Sequence, residues 1–210
     1  MSTMKYASLD LGTIEAVFNK LGGIEGAQKF LQGRLQVSEP ARRWREQDGV
    51  IYLTVTSNGM TGPEWIKYLE KKGFRLSDYA KSVLRSSDFK PTKGVTYEVA
   101  ILKGMLFEDS QRITKNIRNV ATERKFTTPN AEIACLIRDN FSDEDIEAMG
   151  LVWIVAMHEP IKDSGGYPNL LHANRNDGGS WLDAYYDDPD SRWHRGLGFA
   201  FVVSQVCSQN

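Results

Sequence analysis

Two apolar runs near the end of the chain limit its fold more than any other feature. LVWIVAM (151–157) contains no charged or amide side chain, the pattern of a strand covered on both faces. GLGFAFVVSQV (196–206) is rich in β-branched and aromatic residues and predicts a closing strand. Between them lie about 40 residues with the composition of a loop. Segments of that length are rare in compact domains and are usually functional or disordered. Trp181, Leu182, Tyr185, Tyr186 and Trp193 fall inside the stretch, and such apolar pins argue for packing.

The segments upstream complete the outline. Thr13 is placed to cap a helix carrying Ile14, Val17, Phe18 and Leu21, stopped by Gly22-Gly23, and Ile24, Ala27, Phe30 and Leu31 predict a second. VIYLTVTSNG (50–59) predicts a strand, and Thr61 with Pro63 opens a helix ended by Gly73. KGVTYEVAILKGMLF (93–107) predicts a strand with alternating faces. Helices follow on Ile113, Ile117, Val120 and Ala121, then on Ile133, Leu136 and Ile137; Ser142 and Asp145 resemble a capping box before Gly150. The expected organisation is an α+β fold. An N-terminal α/β segment, 1–91, either separate or packed on the rest, precedes a domain over 92–210 with loops at about 163–197. The expected core is Val99, Ile101, Ile113, Ile117, Leu136, Trp153, Val155 and Phe199.

Charge and composition narrow the function. With a net charge of −1 over 210 residues, the basic excess of a nucleic-acid binder is missing. No apolar stretch reaches the roughly 18 residues that a membrane span requires. MSTMKYASLDLG has no apolar signal region, so the expected address is cytoplasmic unless another route displays the protein. Cys135 and Cys207 lack zinc-site spacing, as do the dispersed His158, His172 and His194; neither a metal nor a cofactor is expected.

The polar stretch has an unusual vocabulary. Lys, Glu, Gln and Met occur 13, 13, 7 and 6 times in the chain, yet none falls in the 42 residues from Asp163 to Ser204. Turns favour Asn, Asp, Gly and Ser, but they do not ordinarily exclude Lys. Free substitution of both adenines in an Asn codon yields Asn, Asp, Ser, Tyr, His, Gly, Ala, Arg, Leu and Pro, among others. It cannot yield Lys, Glu, Gln, Met or Trp. In this respect the stretch resembles the variable region of a diversity-generating retroelement target.

The resemblance extends to the order strand, two helices, central strand, long loops and last strand, and to the closing GLGFAFVV. RRWREQDGVIYLTVTSNG, GFRLSDYAKSVLRS and GLVWIVAMHEPIKDS are similar to the nanoarchaeal type of variable protein in that family. The resemblance implies a C-type lectin-like fold, strand-helix-helix-strands with long surface loops, and no enzymatic activity. It implies a variable ligand-binding face made of His172, Asn174, Asn176, Asp177, Ser180 and Asp183, continued by Tyr185, Tyr186, Asp187, Asp188, Asp190, Ser191, His194 and Arg195. Trp153, Trp181, Trp193, Gly198 and Phe199 would be fixed scaffold. The partner would be a protein or a cell-surface ligand, with neither nucleic acid nor membrane insertion involved. The Trp-Asn-Asp and Glu-Pro-Asn motifs of calcium-dependent sugar binding are missing.

Other readings of the same residues stay open. Asp183, Asp187, Asp188 and Asp190 could ligate calcium or form a solvated acidic loop, although their spacing is not that of an EF-hand. Tyr185 and Tyr186 could be ordinary half-buried strand residues. His172 or His194 with an Asp and Ser180 could form a hydrolase triad, but no nucleophile elbow accompanies them. A formylglycine-generating enzyme on this fold would need reactive cysteines near the site. A fixed-partner adaptor using the same loops is the remaining alternative.

Overall fold

The computed structural model describes residues 10–36, 42–176 and 178–207, with side chains as far as Val203 in the last strand. The chain divides into two compact units, Met1–Arg42 and Arg43–Asn210. Residues 43–91 of the expected N-terminal segment thus belong with the second unit. Residues 43–91 supply strands to the main sheet, and their removal would expose its core.

The first unit contains α1 (Leu11–Lys20) and α2 (Gly23–Leu31). The cap of α1 is Asp10 rather than Thr13: its Oδ1 accepts the Thr13 N–H. Gly22 and Gly23 turn the chain at φ of 89° and 77°, values that favour glycine.

The second unit is a mixed α+β structure on one open sheet. Its elements begin with β1 (Trp44–Gln47), β2 (Val50–Asn58), α3 (Gly62–Lys71), β3 (Arg75–Leu76), α4 (Asp78–Arg85) and β4 (Lys93–Lys103). A 3₁₀ turn at Gly104–Leu106 leads to α5 (Thr114–Glu123), α6 (Glu132–Asn140), α7 (Asp143–Ala148) and β5 (Trp153–Ala156). β6 (Ile161–Lys162), β7 (Pro168–Asn176), β8 (Gly179–Tyr186) and β9 (Leu197–Cys207) complete it. The strand order is β1-β2-β4-β9-β5-β7-β8-β3, with β6 beside β7.

Both faces of the sheet centre are covered. Val99 and Ile101 of β4 pack with α3, α4 and α6, whereas Ala100 and Leu102 join Ile117 and Ala121 of α5. This is why the VAIL run of β4 is uniformly apolar where strict alternation was expected. Of the expected core, Val99, Ile101, Ile117, Leu136, Val155 and Phe199 are buried, while Ile113 and Trp153 are half-buried.

The expected loop region is corrected most. Residues 168–176 and 179–186 form an antiparallel pair in full register, from Asn169 opposite Tyr186 to Asn176 opposite Gly179. Leu171, Ala173 and Leu182 bury one face against the helices, and that burial overrides the weak strand preference of Asn and Asp. The irregular part shrinks to the β6–β7 turn and the crossover over 187–196.

Gly198 fixes how closely β9 approaches its neighbours. A Cβ there would stand 2.6 Å from Ile101 Cγ2 and 2.7 Å from Leu151 Cδ1, and both side chains are buried. Gly198→Ala should therefore destabilise the fold by about 1–3 kcal/mol, read from the urea midpoint. An unchanged midpoint would show that this contact can relax freely.

Candidate ligand-binding surface

The hairpin distributes the candidate residues by its pleat, because alternate side chains point to opposite faces. His172 and Asn174 share a face with Trp153, Trp181 and Asp183, while Ser180 belongs to the other. His172 and Asn174 are buried, so their expected place on an open surface is corrected: they lie beneath it. The His172 ring stacks on Trp153 with centroids 4.8 Å apart and planes 18° apart. Burial lowers its pKa to about 4, against the upward pull of Asp183 opposite.

Several other candidates are occupied in holding backbone. Asn176 Oδ1 accepts the Gly178 N–H at 2.8 Å and Trp181 Nε1–H at 3.0 Å, which shapes the hairpin end. Asp177 lies outside the described residues. Ser180 donates to Asp143 on the helical side of the sheet, so the structure does not bring it together with His172. Asp187 is nearly buried and pairs with Arg118 at 3.2 Å; burial raises its pKa and Arg118 opposes that. Its role as a surface contact is corrected accordingly. Asp188 Oδ1 accepts the Asp190 N–H at 2.8 Å, Asp190 pairs with Lys115 at 2.6 Å, and the Ser191 carbonyl accepts the Thr114 N–H at 3.2 Å. Among the described residues no group of three or more His, Cys, Asp or Glu side chains is placed to hold a metal ion.

The exposed candidates converge at the C-terminal end of β8. Tyr185 and Tyr186 are 43% and 46% exposed. Trp193 supports Tyr185 from below: their rings lie 5.0 Å apart, and Trp193 Nε1–H donates to Thr114 Oγ1 at 3.0 Å. A shallow cavity of about 370 Å³ opens between Tyr185, Trp153, Trp193, Arg192 and His194. A second, of about 390 Å³, lies between Tyr185, Tyr186, Tyr167, Tyr79 and Asp163. Arg195 is exposed on the same crossover. Asn176 and Ser180 stand at the opposite end of β8, about 17 Å or more from Tyr185 at roughly 3.4 Å per residue.

Sequence reasoning missed the side chains that hold this surface. Arg112 donates to the Gly104, Phe107 and Trp193 carbonyls at 2.7, 2.8 and 3.4 Å. Arg118 donates to the Met157 and His158 carbonyls and to Asp187. Tyr79, Tyr167, Asp163 and Arg192 were likewise absent from the expected site. Tyr79 comes from α4, a hundred residues or more before the side chains of β8, and no local pattern links them.

Cys135 is free and buried in α6, and burial pushes its thiol pKa well up, the opposite of a reactive cysteine. No helix among the described residues is long and apolar enough to cross a membrane. Comparison of the chain with protein-family models, with curated proteins and with solved structures finds no match in any of the three.

Proposed function

We propose that the protein is a non-enzymatic ligand-binding protein whose recognition surface is the C-terminal end of β8 with the crossover over 187–196. The observation that carries this reading is the exposed Tyr185, which lines two cavities and rests on Trp193, with the exposed Tyr186 beside it lining one of them. Tyrosine supplies a large contact area at modest entropic cost, and the short polar residues around it adapt to a partner.

A C-type lectin-like scaffold is the finer proposal. The antiparallel pairing of β4 with β9 supports it, as does the insertion of the β7–β8 hairpin between β5 and β9 in sequence. The further reading, of a surface rewritten by adenine mutagenesis in a diversity-generating retroelement, rests on the vocabulary of 163–204. Its partner would be a protein or a cell-surface ligand.

The fold divides the candidate positions into those that can vary and those that cannot. Substitution of exposed residues usually changes stability by within about 0.5 kcal/mol, whereas loss of a buried polar partner costs about 1–3 kcal/mol. Sequencing the gene across a natural population tests this division. Adenine-derived changes should gather at Tyr185, Tyr186, His194 and Arg195, with His172, Asn174, Trp153 and Trp193 unchanged. If codons 185 and 186 are as constant as those of Val99 and Ile101, the variable reading fails and a fixed-partner adaptor takes its place.

A further inference from the structure

We propose that the cavity between α4 and the end of β8 is a cation cage that takes a lysine or arginine side chain of a protein partner. The inference rests on the ligand-binding reading of this surface and names the chemistry of one contact. Four tyrosines form the walls: Tyr79, Tyr167, Tyr185 and Tyr186, exposed by 62%, 63%, 43% and 46%. The Tyr167 and Tyr186 rings lie 6.3 Å apart at 73°, so two aromatic walls meet in a corner. Ring faces carry negative potential, and a cation within about 6 Å of a ring centroid is attracted to it.

Asp163 supplies the charge. Its Oδ1 accepts the Gly165 and Tyr167 N–H groups at 2.8 and 3.0 Å, and its Oδ2 accepts Asn169 Nδ2–H at 3.0 Å. These bonds fix the carboxylate at the cavity wall. Among the described residues no basic side chain lies within ion-pair distance of it. Lys162 and Arg85 line an adjoining depression that shares Asp163. Four tyrosines beside a carboxylate without an ion-pair partner among the described residues suit an organic cation better than a neutral apolar group.

A partner chain fits better than a free small cation, because the surface continues beyond the cage. Tyr185 lines both cavities, and the second presents the Arg192 guanidinium. The surface thus changes sign from one cavity to the next, the complement of a chain segment that carries both charges.

The test is a titration of the whole protein, followed by the ring-proton NMR shifts of its tyrosines. The probes are acetyl-Gly-Lys-Gly-amide, the same peptide with norleucine for lysine, and tetramethylammonium. The lysine peptide should bind about tenfold more tightly than the norleucine peptide. Tyr79→Leu should abolish that preference while leaving the protein folded, since Tyr79 is exposed on α4. Asp163→Asn should weaken the lysine peptide and leave the norleucine peptide unchanged. Equal binding of the two peptides, binding of neither, or full retention of the preference in Tyr79→Leu would each overturn the proposal. So would binding of tetramethylammonium without the lysine peptide, which would mark a site for a free quaternary ammonium ion. None of these results bears on whether codons 185 and 186 vary, so the two readings fail separately.

Discussion

Replacing Asp143 with alanine is expected to destabilise the protein by about 3–5 kcal/mol, the usual cost of stripping the partner from a buried charge. The Arg138 side chain is 0% exposed, and its guanidinium donates to Asp143 Oδ1 at 2.8 Å. It also donates to the Phe141 carbonyl at 2.7 Å and the Asn174 carbonyl at 3.3 Å. Burial lowers the Arg138 pKa, and Asp143 opposes that shift. Alanine at 143 leaves the cation in place without its ion-pair partner, and the Ser180 hydroxyl loses its acceptor as well. The double variant Arg138→Met, Asp143→Ala should recover most of the loss, because it removes the buried charge together with its partner. Urea denaturation of the three proteins checks both expectations. A single-variant loss below about 1 kcal/mol would mean that neutral carbonyls alone can hold the arginine. The consequence reaches the hairpin, since Arg138 ties α6 to the end of β7 that lies away from the tyrosines.

That tie was not legible in the sequence, and the reason is physical. Arg138 lies in AEIACLIRD, where one arginine after an apolar helical run predicts a solvent-facing terminus. Its burial depends on Asp143 and Asn174 arriving from separate elements. Arg112 and Arg118 escaped notice on the same ground. Local periodicity, in contrast, located β2, β9, α5 and α6 close to where they lie, because each carries its core-facing residues at its own repeat. The hairpin was the principal miss, although a signal for it was present. Asn176-Asp177-Gly178-Gly179 places Asp-Gly between two paired residues, the signature of a two-residue hairpin turn. The run of Asn, Asp and His around it outweighed that cue in a reading by composition. What composition could not contain was the partition of the stretch. His172 and Tyr185 belong to the same residue vocabulary, yet Leu170 and His172 pack inward on β7 while the end of β8 stands clear. The pairing of Tyr186 with Tyr79 around one cavity is wholly tertiary.

Acidification should unfold this protein earlier than its carboxylates alone would require, because two histidines are buried neutral. His158 Nδ1–H donates to the Glu159 carbonyl at 2.6 Å, and its Nε2 accepts the Leu171 N–H at 2.9 Å. Both ring nitrogens are engaged only in the neutral tautomer. A proton on Nε2 would face the Leu171 N–H. Burial, with a smaller effect from Arg118, lowers the His158 pKa to about 4, and burial brings His172 to about 4 as well. In the unfolded chain each returns to about 6.5. Between those values the unfolded state binds the proton and the folded state does not, so stability falls as pH drops from about 6.5 towards 4. Each histidine contributes a slope of about 1 kcal/mol per pH unit, and on the order of 3 kcal/mol across the whole window. The raised pKa of Asp187 acts in the opposite direction, since the folded state then holds a proton more readily, and it offsets part of the loss at the acid end. Urea midpoints taken between pH 6.5 and 5 isolate the histidines from most carboxylate titration. His172→Phe keeps an aromatic ring against Trp153 and removes one titrating group, so it should halve the slope. A wild-type midpoint that stays flat over that interval would show that His158 and His172 charge within the fold, and that the layer beneath the tyrosine surface admits water.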